Sequence, residues 1–208
     1  MSWLVDHDLF GLHALLDAAF REDIGEGDLT VRTVVQQRAS AIVTAHIVAK
    51  ATGVVAGLGA MQLAYRRLDP TVEFHAQLQD GEPVEAGTIV AQLEGPAGTL
   101  LSGERVALNL LGRLSGIATL TRQFVDAVAG TGVAICDTRK TTPGWRLLEK
   151  YATSIGGARN HRIGLYDQVL IKENHCAAAR LSPADAVRQA HRALESHDPR
   201  PPIGVEVR

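Results

Sequence analysis

At the start of the chain Leu9, Leu12, Leu16 and Phe20 recur at helical spacing, which predicts an amphipathic helix over residues 8–22. That helix should end before the glycines of "DIGEGDLT". From Ala39 the pattern turns β-branched and partly alternating, "ASAIVTAHIVAKATGVVAG". A helical "GLGAMQLAYRRL" follows, and "TVEFHAQL" and "GTIVAQL" read as strands separated by the turn signal "DGEP". The stretch "LLSGERVALNLLGRLSGIATLTRQFVDAVAG" then has helical period throughout and is expected to break near the glycine of "SGIAT".

Beyond it, strand, loop and helix alternate. "GVAICD" reads as a short buried strand and "PGWRLLEKYATSI" as a helix with Pro143 in its first turn and two glycines closing it. "DQVLIK" is the next strand, "SPADAVRQAHRALES" a helix with Ser182 as N-cap and Pro183 just inside, and "IGVEVR" a third strand. Such alternation predicts parallel strands joined by crossover helices, with chemistry at the strands' carboxyl ends. The expected division is an α+β domain over residues 1–103 and an α/β domain over 104–208. There is no internal repeat and no low-complexity segment.

Composition narrows the function classes. With 208 residues and 46% hydrophobic content the chain can bury a core as a soluble globule. Its 21 Lys and Arg against 23 Asp and Glu give no global field for nucleic acid or an anionic membrane, so neither partner is expected and any anion site must be local. No apolar run approaches a membrane span, and "MSWLVDHDLF" lacks the features of a signal peptide, so export is not expected. Cys136 and Cys176 fit neither a disulfide framework nor a zinc cluster and read as reduced thiols of a cytoplasmic protein.

The predicted strand ends supply a local charge. "DTRK" follows the first strand, "KENH" the second, and Glu206 lies in the third, while the loop "GARNHRIGL" adds Arg159, His161 and Arg162. Residues 139–175 hold seven cations against three acids in a chain of net charge −2. Converging Arg and Lys suit carboxylates or phosphates, because an Arg fork matches two oxygens at once and Lys supplies a point charge. Any one of these cations, taken alone, is more simply a solvated loop charge; their position at strand ends is what singles them out. Lys172 leaves an apolar strand, where an unpaired cation is costly. His161 fits a ligand contact and a structural role equally, and Glu206 suits a divalent metal or a ribose hydroxyl if its strand is not frayed. His175 and Cys176 read as packing residues.

Two motifs carry no chemistry. "DGEPVEAGTIVAQLEG" resembles half of a biotinyl or lipoyl carrier domain but has no lysine in a tight turn, and "GLGAMQ" lacks the strand, turn and third glycine of a dinucleotide site.

The ordered segments "REDIGEGDLT", "GVVAGL", "DGEPVEAGTIVAQLEG", "SGERVALNLLGRLSGIAT", "DTRKTTPGWRLLEKYA", "GGARNHRIGLYDQVLIKENH" and "VEV" resemble the type II phosphoribosyltransferases. Within them they resemble the quinolinate phosphoribosyltransferases, or carboxylating nicotinate-nucleotide pyrophosphorylases. The resemblance implies an N-terminal open-faced α/β sandwich followed by an incomplete α/β barrel, in a homodimer or higher oligomer. It implies transfer of phosphoribosyl from phosphoribosyl pyrophosphate to quinolinate with loss of CO2, giving nicotinate mononucleotide and pyrophosphate with Mg2+ as cofactor. Carried over by position, Arg139, His161 and Arg162 would grip the quinolinate carboxylates, and Lys140 and Lys172 would meet phosphate and carboxylate oxygens. Thr138 would share that loop, Arg105 would reach a partner subunit's site, and Glu206 would handle ribose and Mg2+; Lys140, Lys172 and Glu206 are the catalytic candidates. A molybdenum-transport transferase shares the fold, but "DTRK", "NHR" and "KENH" together favour a pyridine dicarboxylate. Against the family pattern the chain stops on the third barrel strand. The expectation is therefore a truncated or split enzyme with the quinolinate side of its site intact and the phosphoribosyl side incomplete, which in one reading another polypeptide completes. The alternative is a non-catalytic remnant that binds dicarboxylate or pairs with a full-length homologue.

Overall fold

The structure is a computed structural model describing residues 11–206. Leu9, the first apolar position of the expected opening helix, lies outside the described residues. Contacts separate two compact units, one holding residues 11–137 with Thr141–Arg159, the other Thr138–Lys140 with residues 160–206.

In the first unit, helix α1 (Leu12–Ile24) buries Leu12, Leu16 and Phe20 and ends at Gly25. Strands β1 (Ile42–Val48), β3 (Glu73–Ala76) and β5 (Ile89–Pro96) form an antiparallel sheet in the order β1-β5-β3. Its register sets Ala45 against Leu93 and Leu93 against Phe74, and one residue along, His46 against Gln92 and Gln92 against His75. Because successive side chains point to opposite faces, the first row joins the apolar core while His46 and His75 stay exposed. One face is therefore covered and one open.

The covering helices are α2 (Leu58–Leu68) and α3 (Ala97–Ala127), which cross closely at Gly103. A Cβ on Gly103 would lie 2.8 Å from Leu68 and 2.9 Å from Tyr65, so the approach requires glycine. Contrary to the expected break, α3 runs unbroken through Gly116 for 31 residues, about 46 Å. A solvent-side glycine costs a helix only about 1 kcal/mol, and the flanking turns are tied down. The Ser115 hydroxyl accepts the Ala56 amide at 3.0 Å and the Thr119 hydroxyl the Val54 amide at 2.8 Å. Val54 belongs to β2 (Gly53–Val54), which pairs only with the two residues of β4 (Pro83–Val84) and so needs these acceptors. The expected domain boundary at 103/104 falls inside α3.

Asp80, in the predicted turn, accepts the Gly57 and Leu58 amides at the start of α2 and the Tyr151 hydroxyl at 2.5 Å. Burial, and then the Asp80 carboxylate, push the Tyr151 phenol far above its ordinary value. Tyr151 lies on α4 (Arg146–Ile155), which packs against α3. Pro143 stands before this helix and not in its first turn: Thr142 to Trp145 close a turn through a 3.0 Å bond, with Pro143 second and Gly144 third at φ +82°. That is the type II arrangement. The expected strand "GVAICD", residues 132–137, is absent too. Val133 is 62% exposed, and the segment makes one parallel bridge, Cys136 with Arg159. With no second strand beside it, this run has no sheet to enter.

The second unit contains β6 (Val169–Ile171), α5 (Glu173–Ala179), α6 (Pro183–Ala193) and β7 (Ile203–Val205). The strands pair in parallel, as their alternation with helices predicts, with Val169 opposite Ile203 and Ile171 opposite Val205. Ser182 caps α6 by accepting the Asp185 amide at 3.1 Å, and Pro183 takes the first position. No helix of the described residues is long and apolar enough to cross a membrane.

Glu149 on α4 gives this fold a pH dependence. Burial works to raise its pKa, but hydrogen bonds from Arg113 and Thr142 outweigh it and hold the carboxyl below its ordinary 4.5. A depressed carboxyl stabilises the folded state above the ordinary value and loses that contribution as pH falls through the folded one. Chemical denaturation of Glu149→Gln should thus show a deficit that is largest above about pH 5 and shrinks toward pH 3. A deficit independent of pH would contradict this.

Candidate functional site

Seven of the eight residues singled out from the sequence fall in the second unit: Thr138, Arg139, Lys140, His161, Arg162, Lys172 and Glu206. The chain's two neighbours of the first three, Asp137 and Thr141, belong to the first unit. Arg105 belongs there as well, exposed on α3 with Glu104 3.9 Å away.

Thr138 shapes the short excursion, its hydroxyl accepting the Lys140 amide at 3.0 Å. The Arg139 and Lys140 side chains have no hydrogen-bond or ion-pair partner among the described residues. Two adjacent cations here have no protein anion, so their charge is met by solvent or a ligand.

The loop that carries His161 and Arg162 is organised by Asp167. Its carboxylate accepts the Ile163 amide at 2.7 Å and the Gly164 amide at 2.9 Å, closing the loop on itself. Arg162 is only 9% exposed and donates to the Gln168 carbonyl at 3.1 Å. One terminal nitrogen of the guanidinium is thereby held by the backbone. His161 is half-buried and has a partner within the protein.

Lys172 and Glu206 follow the last residues of β6 and β7, at the carboxyl ends of the parallel pair. The Glu206 amide extends the ladder to the Ile171 carbonyl at 2.9 Å, and the Lys172 ammonium meets the Glu206 carboxylate at 3.0 Å. The anion that Lys172 lacked in the sequence is thus another candidate residue. Both side chains are about half exposed, so their attraction is screened and a ligand can exchange with it. A cavity of about 760 Å³ opens here, lined by Ile171, Lys172, Cys176, Arg180 and Glu206 among others, but by none of residues 138–162. Among the described residues no three His, Cys, Asp or Glu side chains group as metal ligands.

Two expectations need correction. His175 is not a packing residue: it is exposed, and its Nδ1 accepts the Lys172 amide at 2.9 Å, capping α5. Lys150 does not belong to the cationic surplus, because its ammonium is 2% exposed and lies 2.6 Å from Asp137. No local signal marks Lys150, which looks in sequence like any solvated helical lysine.

The fold and strand ends together define a class: an α/β protein with charged residues at the carboxyl ends of a parallel strand pair. The profile of the quinolinate phosphoribosyl transferase N-terminal domain matches residues 28–115, and that of the C-terminal domain residues 117–208. A probable carboxylating nicotinate-nucleotide pyrophosphorylase of Bacillus subtilis is 47% identical over 182 residues, 88% of this chain and 62% of that protein. A decarboxylating quinolinate phosphoribosyltransferase of Nicotiana tabacum, 1b, is 36% identical over 97% of this chain and 57% of its own length. The crystal structure of NadC from Streptococcus pyogenes superposes with a TM-score of 0.86 at 37% identity, over 95% of this chain and 69% of that one. The chain belongs to the quinolinate phosphoribosyltransferase family. It spans about 60% of the length of the curated relatives it matches.

The Lys150–Asp137 pair should be among the most sensitive points of the first unit. Removing one partner strands a buried charge, so Lys150→Met is expected to cost about 3–5 kcal/mol in chemical denaturation. Adding Asp137→Asn should recover part of that loss; strictly additive losses would show that the two groups are not coupled.

Proposed function

We propose that the chain carries the quinolinate side, and the β6–β7 strand ends, of a site for phosphoribosyl transfer from phosphoribosyl pyrophosphate to quinolinate. The observation that carries this reading is the gathering in one compact unit of two unpartnered cations, Arg139 and Lys140, with His161, Arg162 and the Lys172–Glu206 pair. Arg139, His161 and the free edges of Arg162 take the two carboxylates, since guanidinium forks match carboxylate oxygens. Lys140 and Lys172 supply point charges to the remaining carboxylate and phosphate oxygens, and Thr138 shapes the loop between them.

The pyridine nitrogen attacks the anomeric carbon, forming the N–C bond as the C–O bond breaks and its electron pair leaves with pyrophosphate. The 2-carboxylate then departs as CO2. Its bonding pair stays at the ring carbon beside the cationic nitrogen and takes up a proton, giving nicotinate mononucleotide. No side-chain nucleophile is needed. Holding two mutually repelling anions in contact, and offering fixed cations to the leaving group, accounts for the acceleration.

A single carboxylate suits Mg2+ only where substrate phosphates complete the coordination, so Glu206 would hold the ion jointly with the phosphoribosyl donor. When bound, Mg2+ neutralises the developing pyrophosphate charge. Placement of the exposed Arg105 over a second copy's site, in a cytoplasmic dimer, belongs to the same reading.

Titration calorimetry with quinolinate tests it. Hydrogen bonds to charged groups contribute about 1.5–3 kcal/mol, so Arg139→Ala should weaken binding about ten- to hundred-fold. Unchanged affinity would overturn the carboxylate assignment. Arg162→Ala should weaken binding and stability together, because the buried guanidinium also holds Gln168. Mg2+-dependent product formation by the pure chain separates a competent transferase from a dicarboxylate-binding remnant.

A further inference from the structure

We propose that Arg180 is a phosphate-binding residue of the cavity at the ends of β6 and β7, acting on the phosphoribosyl donor. The inference rests on the phosphoribosyl-transfer reading of this site.

Three observations converge on this side chain. The first is backbone conformation. Helix α5 ends in a Schellman turn, with the Arg180 amide bonded to the Ala177 carbonyl at 3.2 Å and the Leu181 amide to the Cys176 carbonyl at 3.0 Å. Arg180 occupies the left-handed position of that turn, at φ 55° and ψ 41°. This is the position at which glycine ordinarily serves, because a Cβ is strained there. A long cationic side chain at this point works against the stability of its own turn, and such strain marks groups kept for a reason other than folding.

The second observation is location. Arg180 lines the same cavity as Lys172 and Glu206, and the cavity, about 760 Å³, is of the size that takes small-molecule ligands. The third is charge. Lys172 is balanced by Glu206 at 3.0 Å, and the other acidic group of the lining, Glu173, is already engaged. The Arg180 guanidinium has no hydrogen-bond or ion-pair partner among the described residues. It is the cation of this cavity whose charge the protein leaves open, and a planar fork of donors suits phosphate oxygens.

A structural role would read differently. A cation at a helix C-terminus interacts favourably with the last carbonyls. If that were its whole purpose, removing it would lower stability and leave binding alone.

Arg180→Gly separates the two, because glycine relieves the left-handed strain while deleting the guanidinium. We expect the variant to unfold about 2–4 °C higher than the parent. It should bind Mg pyrophosphate or ribose 5-phosphate at least about tenfold more weakly by titration calorimetry. Quinolinate affinity should stay within about twofold, and Arg180→Lys, which keeps the charge but not the fork, should restore part of the phosphate affinity. A loss confined to pyrophosphate assigns the leaving-group end of the donor; one confined to ribose 5-phosphate assigns the other end, and either supports the proposal. Unchanged affinity for both, or a lowered unfolding temperature, overturns it. A parent chain that binds quinolinate but neither phosphate ligand overturns the Arg180 assignment while sparing Arg139 and Arg162. A parent chain that binds none of the three removes the functional reading itself.

Discussion

Every buried amide in a folded chain must find an acceptor, and here many lie at helix starts, in loops and on a two-residue strand, where the backbone ladder supplies none. Side chains fill the gap. Asp80 takes the Gly57 and Leu58 amides, Asp28 the Val31 amide, Glu149 the Thr142 amide and Asp167 the Ile163 and Gly164 amides. Ser115 and Thr119 do the same from the side of α3 for the two-residue strand β2 and the residues after it. Each is a structural contact made by a residue that composition counts only as polar or charged.

This use of acidic groups explains how a chain of net charge −2 presents a cationic site. In the second unit Asp185 and Glu206 pair with Arg188 and Lys172 at the surface, but other acids are turned inward. Asp167 is turned onto backbone amides, and in the first unit Asp137 is held by a buried lysine and Glu149 by Arg113. Arg139, Lys140 and Arg180 are left without protein anions among the described residues, while Lys172 has one that is half exposed and exchangeable. Net charge is therefore a poor guide to local field here. What matters is where the acids point.

The proposed function would draw on the rigidity of that arrangement. Arg162 is held at one edge by the Gln168 carbonyl, and the loop around it is closed by Asp167, so its orientation is set before any ligand arrives. Preorganised donors cost little to align when charge develops, which is how a site without a nucleophile accelerates a displacement. Lys172 and Glu206 are the more exposed counterpart, a pair at the strand ends whose attraction solvent screens.

Much of this was legible in the residues alone. The helical periods of α1 and α2, the Ser182–Pro183 start of α6 and the parallel β6–β7 pair all follow from local spacing and capping chemistry. So does the place of Lys172 and Glu206 at the strand ends, whereas the strand expected before Arg139 and Lys140 is absent, and the ordered motifs carried the family resemblance. Local rules failed where the deciding partner is distant in sequence. Gly116 does not break α3, because Ser115 and Thr119 bind amides of the β2 region, and residues 133–136 form no strand, because a strand exists only beside another. Lys150 looks in sequence like a solvated helical lysine, yet it is sealed against Asp137, while Lys172, which leaves an apolar strand, stands half open to Glu206. Periodicity and capping act within a few residues and so are written into the sequence, whereas hydrogen-bond and charge pairing are settled by which groups the tertiary fold brings within reach.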